Sequence, residues 1–325
     1  MTKFRAKPMA RNSAWHAPLT LFELYPLYAR HFAQVQLVLF SLALGATLSV
    51  ADFVTVVRRP RSFVAAVLTQ LLVLPWLAVL IDATAGLEEG FAVGLVLVAA
   101  MPGGAMSKLF TYLGRGNAAL SVSLTAFTTL LSLATVPLML QLLVARYIRA
   151  DFEMPVGSVL VELVLCLLVP LAAGMTAGRI WPKHRQAIAR WSVLVGLIVV
   201  IGMVTGSLGS GQIEPGEYGW RPPIAIILFC LIAQQVVMVP FYVFRWPRSD
   251  RLAAGIEVTM RNMNLAILLT ERLFPGKGPV LFVVLFYAAT AMIAGVPLVL
   301  NHRWLWRRDA AKGQESGVRS QELGA

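Results

Sequence analysis

The amino-acid sequence predicts an all-α polytopic membrane protein with about nine transmembrane helices, on three observations. Of its 325 residues, 58% are hydrophobic and 14% charged, with a mean hydropathy of +0.73, whereas a water-soluble domain carries about 25% charged residues to solvate its surface. Its apolar runs, such as Ala65 to Leu80 and Ile224 to Val239, are continuous rather than alternating. In hydrocarbon only helices and closed barrels satisfy their own backbone polar groups, and continuous runs mean helices. The basic residues behind the net charge of +12 lie in short loops between those runs.

Segments long enough to span run, in order, over Gln34 to Val57, Ser62 to Ala83, Gly90 to Gly114, Ala118 to Ala145, Val156 to Ile180, Arg190 to Leu208, Arg221 to Phe244, Leu252 to Phe274 and Val280 to Trp304. Residues 1–33 are expected to form a basic tail and an interfacial segment, residues 34–304 the membrane domain, and residues 305–325 a cytoplasmic tail. Arg58, Arg59 and Arg61, then Arg179, Lys183, Arg185 and Arg190, then Arg245, Arg248 and Arg251, and last Arg303, Arg307 and Arg308 mark one side, while Glu88, Glu89, Glu214 and Glu217 mark the other. The positive-inside rule then puts the C-terminus in the cytoplasm and, with nine spans, the N-terminus outside, in a plasma or inner membrane. The basic residues Lys3, Arg5, Lys7 and Arg11 pull against that orientation. Either the last helix dominates, or Leu19 to Tyr28 re-enters the interface. Trp15, His16, Glu23 and Pro26 interrupt what would be the core of a signal peptide; an organelle transit peptide is the alternative, since the first twenty residues carry no acid.

Charge confined to loops excludes nucleic acid as a partner and leaves the lipid bilayer. Cys166 and Cys230 fall inside apolar runs, where a thiol behaves as a small hydrophobe, so no disulfide is expected. The sequence has no metal-ligand cluster, no nucleophile with a base and no phosphate loop, so neither an enzyme nor a cofactor is expected. Oligomeric state is left open.

Two spans are unusual. The third is cut by Met101-Pro102-Gly103-Gly104, where a missing N–H and two residues lacking a side chain make a continuous helix costly. The eighth carries Glu257, Arg261, Asn262 and Asn264 in its middle, with Glu257 and Arg261 at a spacing that shares a helix face. Each is the penultimate span of its half, the count left by a five-plus-five inverted repeat that has lost its first helix. Interrupted helices so placed meet near the midplane and build the substrate and ion sites of secondary transporters.

The segment MPGGAMSKLFTYLGRGNAALSVSLTAFTTLLS, Met101 to Ser132, resembles the signature of the bile acid:sodium symporter family. Phe53 to Arg61, followed by Gln70 and Pro75, and Ile256 to Asn262 resemble its other marked segments in the same order, and the likeness covers roughly Phe40 to Leu300. The resemblance implies two crossed, broken helices in a core (about 62–145 and 221–304) moving against a panel (about 34–57 and 156–208). It implies one sodium position at Ser107, Lys108, Ser121, Thr125 and Glu257, and a second at Glu257, Arg261 and Gln70, with Pro102, Gly103, Gly104 and Asn262 shaping the crossing. Lys108 and Arg261 stand where the family has Asn and Gln oxygens. A hard cation needs oxygen ligands, and Lys and Arg offer only charged donors. The expected function is therefore sodium-independent transport of a small organic anion, with a tethered ammonium and guanidinium in place of the two ions. The bland alternatives are that Lys108 snorkels to water at a helix end, that Arg261 only neutralises Glu257, and that Ser121 and Thr125 bond back to their own helix. A sensor or scaffold that no longer transports, a sodium-coupled symporter with altered ion sites, and an arsenite or auxin-type carrier, whose Cys marker is absent at Ala105 and Met106, remain as rivals. The last helix, where the family bears a polar patch, keeps Thr290 among Tyr287, Ala288, Ala289 and Ala291.

Overall fold

The computed structural model describes residues 21–49, 60–144, 147 and 155–322, and among these the secondary structure is helical apart from one isolated antiparallel bridge between Gly103 and Arg261. In chain order the helices are α1 (Leu21–Thr47), α2 (Pro60–Ala85), α3 (Glu89–Ala100), α4 (Met106–Leu113), α5 (Ala118–Leu143), α6 (Val156–Ile180), α7 (Arg185–Gly209), α8 (Arg221–Val243), α9 (Arg248–Thr259), α10 (Met263–Leu273) and α11 (Gly278–Glu322). Seven of them, all but α3, α4, α9 and α10, are long and apolar enough to cross a membrane. Single π-turns relax α2 at Thr69–Val73 and α6 at Val164–Leu168, each just before a proline, Pro75 and Pro170, that cannot donate to the ladder.

Several boundaries differ from the sequence reading. The helix of the first span already includes Leu21, thirteen residues before Gln34, so the described part of the segment expected at the interface is helix, with Pro26 inside it. Residues 1–20, the Val57 end of that span, Arg58 and Arg59, and Ala145 lie outside the described residues. The sixth span starts five residues early, at Arg185, and the last helix continues past Trp304 to Glu322, through most of the expected tail.

α1 is held in a groove between α6 and α7. A Cβ at Gly174 would meet Leu42 O, and one at Gly45 would meet Leu171 O, so small residues let the two backbones approach closely, as in membrane helix pairs generally. Tyr25 and Phe22 pack on Gly206 and Gly209 of α7. Arg185 donates from Nε to Ala46 O at 3.1 Å and from Nη2 to Thr47 O at 2.5 Å, which satisfies the last carbonyls of α1 with a cation where the helix dipole favours one. The main apolar core runs on from here, from Leu37 of α1, Leu163 of α6 and Met203 of α7 into α3 and α8 to α11, around the fully buried Phe229, Phe241 and Tyr287.

Candidate functional site

The two interruptions touch. Gly104 N donates to Met260 O at 2.6 Å and Asn262 N to Pro102 O at 2.8 Å, so the break between α3 and α4 and the break between α9 and α10 supply each other's backbone partners. An orphaned N–H in an apolar interior costs several kcal/mol, which is why Met260–Asn262 opens although none of the three is Gly or Pro. The missing side chains of the first break serve proximity. A Cβ at Gly103 would collide with the Glu257 carboxylate, and one at Gly104 would lie 2.6 Å from Arg261 O.

Around Glu257 the expected hydroxyls converge, and all are buried. Thr125 Oγ1 lies 2.8 and 2.9 Å from the two carboxylate oxygens, Ser121 Oγ 3.5 Å from one of them, and Ser107 Oγ 3.4 Å from Ser121 and 3.2 Å from Thr125. Thr125 also bonds back to Ser121 O at 3.0 Å, the bond to its own helix that the bland alternative expects, while facing Glu257. Three hydroxyls and a carboxylate make a set of hard oxygens, the ligand chemistry a hard cation takes.

Lys108 is not in that set. Successive residues of a helix are turned by about 100°, so with Ser107 inward the Lys108 stem leads away, and its ammonium donates to Thr47 Oγ1 of α1 at 2.6 Å. It borders a cavity of about 880 Å³ between α1, α4, α5 and α7, whose wall is apolar at Phe40, Leu44, Met106, Leu109 and Val122 and basic at Lys108 and Arg190. This corrects the tethered-ammonium expectation and comes close to the snorkelling one.

Arg261 does not share a helix face with Glu257. It lies beyond the end of α9, so the helical i,i+4 spacing to Glu257 does not apply, and Nη1 instead donates to Ala99 O at 2.8 Å and Met101 O at 2.6 Å, the open C-terminal end of α3. Its Nε and Nη2 are buried without a partner, as is Nε2 of Gln70, and the expected bond between them is not formed. Tyr287, on α11, donates to Val258 O at 3.3 Å and Thr259 O at 3.2 Å. The residues that the resemblance groups around a second ion thus include a guanidinium, a charged donor that no sodium ion takes as ligand, and the nearby carbonyls are already taken by donors.

Two expected residues have local duties: Asn262 Oδ1 caps α10 by accepting from Leu265 N, and Thr290 bonds back to Phe286 O. Sequence reasoning missed Tyr287 as a donor and Gln234, which donates to Thr259 Oγ1 and Ala294 O. It gave no role to Glu162, whose carboxylate inside an apolar run was the available signal; Glu162 accepts from Arg30 and Gln34 and pairs with Arg272.

Seven helices long and apolar enough to cross a membrane, and a buried crossing of two interrupted ones, define an integral membrane protein. The model of the sodium bile acid symporter family matches residues 34–210, more than half of the chain, and the protein belongs to that family. It is 26% identical over 231 residues, 71% of either chain, to an uncharacterized sodium-dependent transporter of Bacillus subtilis, YocS. It is 24% identical over 285 residues to the human sodium-dependent organic anion transporter, covering 84% of this chain and 73% of that one. It is 28% identical over 254 residues to human sodium/bile acid cotransporter 4, covering 75% of this chain and 56% of that one.

Proposed function

We propose that this family member carries a small organic monoanion by alternating access, coupled to one monovalent cation rather than two. In this reading α3–α4 and α9–α10 are two further spans, making nine; the halves form an inverted repeat; α2–α5 and α8–α11 form a core that moves against a panel of α1, α6 and α7; and the arginine-rich ends face the cytoplasm, with the N-terminus outside and the protein in an inner or plasma membrane.

The observation that carries it is the backbone pairing of two helix breaks beside a buried carboxylate with three hydroxyls. Charge supports the stoichiometry. Arg261 and Glu257 balance one another, so one sodium at Ser107, Ser121, Thr125 and Glu257 leaves a single positive charge at the crossing, which an anionic substrate neutralises; an unbalanced charge there costs about 2.5–3.5 kcal/mol or more. The cavity between core and panel has room for an apolar body, with Lys108 and Arg190 on its wall for the anionic group, and no acidic residue lines it among the described residues. The names of the relatives, sodium-dependent and organic anion among them, agree with this class of cargo.

Uptake of a panel of radiolabelled carboxylates into proteoliposomes, in sodium or choline chloride, tests the reading. The expected result is sodium-stimulated uptake with a Hill coefficient of about one, and a severalfold higher KM in Lys108→Ala. A coefficient near two would put a second sodium where the guanidinium sits and overturn the single-ion reading. Uptake indifferent to sodium would return the protein to the sodium-independent expectation. Failure of every anion in both salts would leave the sensor.

A further inference from the structure

Arg30, Glu162 and Arg272 form a buried charge network that the transport site does not use. Arg30, on α1, donates from Nε and Nη2 to Glu162 Oε1 at 3.2 and 3.1 Å, and Gln34 Nε2 donates to the same oxygen at 2.6 Å. Arg272 Nε, at the end of α10, lies 3.4 Å from Glu162 Oε2, an ion pair without hydrogen-bond alignment. The Glu162 side chain is 7% exposed, while those of Arg30 and Arg272 are 41% and 25% exposed. The carboxylate is thus the sequestered member, and the arginines close over it from the exposed side.

The partners divide between the proposed units. Arg30, Gln34 and Glu162 belong to α1 and α6 of the panel; Arg272 belongs to the core. A second bond joins the same two units, Gln36 Nε2 of α1 to Asn264 O of α10 at 2.8 Å. The position along α1 is decisive. Arg30 and Thr47 are seventeen residues apart, about 25 Å at 1.5 Å per residue. The network therefore seals one end of the core–panel seam while the cavity beside Lys108 and Arg190 parts the other.

We propose that the Glu162–Arg272 ion pair is a latch between the two units: it holds the face opposite the cavity shut in this conformation and has to open in each transport cycle. Its strength suits reversible use. The pair is long and unaligned, and Arg272 keeps some contact with solvent, so parting exchanges it for water at modest cost, whereas Arg30 and Gln34 keep the carboxylate satisfied on the panel side. The inference rests on the two-unit reading above.

Native Cys166, one turn beyond Glu162 and buried in this conformation, reports the state of that face. Its reaction with a membrane-impermeant maleimide, followed by peptide mass spectrometry, is compared in Arg272→Gln, Arg272→Lys and Arg30→Gln. The latch predicts that Arg272→Gln raises the Cys166 rate roughly tenfold by shifting the population toward the opened face, that Arg272→Lys restores the wild-type rate, and that Arg30→Gln, which breaks only a bond within the panel, stays within about twofold of it. Equal rates in all variants would overturn the latch, as would equal acceleration by Arg30→Gln and Arg272→Gln. Acceleration at the fully buried Cys230 as well would signal unfolding, assign the pair a purely structural role and overturn it too. Labelling needs no transport, so a tenfold change without uptake of any anion would sink the transport reading and leave the latch standing.

Discussion

Arg261 is the residue on which ion stoichiometry turns. Its guanidinium closes the carbonyl end of α3 through Ala99 O and Met101 O and supplies positive charge in the neighbourhood of Glu257. Shortening it to glutamine removes that cation and takes the charged donor from the Ala99 and Met101 carbonyls, a loss of roughly 1.5–3 kcal/mol. The same change restores the oxygen that the family places there. Arg261→Gln is thus expected to melt well below wild type in choline chloride and to regain much of the difference in sodium chloride, since a ion bound only by the folded state stabilises it by mass action. Thermal unfolding of both proteins in the two salts checks this; identical shifts of wild type and variant on changing salt would show that the guanidinium does not stand in an ion position. Lys108 has no such part. The substitution was visible in the sequence, but the direction of the side chain was not: motif position says that residues 107 and 108 are neighbours along the chain, and only the helix rotation decides that one faces the carboxylate and the other Thr47.

At the scale of elements, the crossing shows both what sequence discloses and what it hides. The break at Met101–Gly104 was legible because proline and glycine write local disfavour for helix directly into the chain. The break at Met260–Asn262 was legible only through its polar residues, since its cause is a partner 160 residues away, the Pro102 carbonyl and the Gly104 N–H. Contacts across helices escape the sequence in the same way: Glu162 stood out as a carboxylate in an apolar run, yet nothing along the chain tied it to Arg30 or Arg272. The helical residues before Gln34 escaped the hydropathy reading because Glu23, Arg30 and His31 break the apolar run there. The tight fit at the crossing also carries a prediction. Gly103→Ala forces the new methyl against the Glu257 carboxylate, a collision with a group fixed by Thr125, Ser121 and the backbone pairing. It is expected to cost about 3 kcal/mol or more, beyond the usual range of overpacking, and to abolish uptake. Gly157→Ala, where an added Cβ meets nothing within 4 Å, serves as the control and is expected to match wild type in melting temperature and rate. Equal behaviour of the two variants would show that the crossing is looser than its distances imply.

For the whole molecule, the proposed alternating access makes the cavity end and the latch end of α1 two readings of one equilibrium. In that proposal a state with the seam parted at Lys108 and sealed at Arg272 exchanges with its reverse, and a solute that binds only one of them shifts the balance by its differential affinity. An anion entering the cavity before any switch binds the state in which Glu162 and Arg272 are joined, so it should draw the population toward the sealed latch. Thermodynamic reciprocity then requires that opening the latch weakens anion binding from the cavity side by the same factor. In Arg272→Gln without sodium, a transported anion added at saturating concentration on the arginine-rich side is expected to slow Cys166 labelling severalfold, while its apparent affinity from that side falls by the factor by which the variant lowers the population of the cavity-open state. Sodium is omitted because a cation at Ser107, Ser121, Thr125 and Glu257 binds at the crossing, which both states share, and would mix its own preference with that of the anion. Labelling that ignores the anion, in a variant that still binds it with wild-type affinity, would show that cavity and latch open independently and that α1 does not couple the two faces.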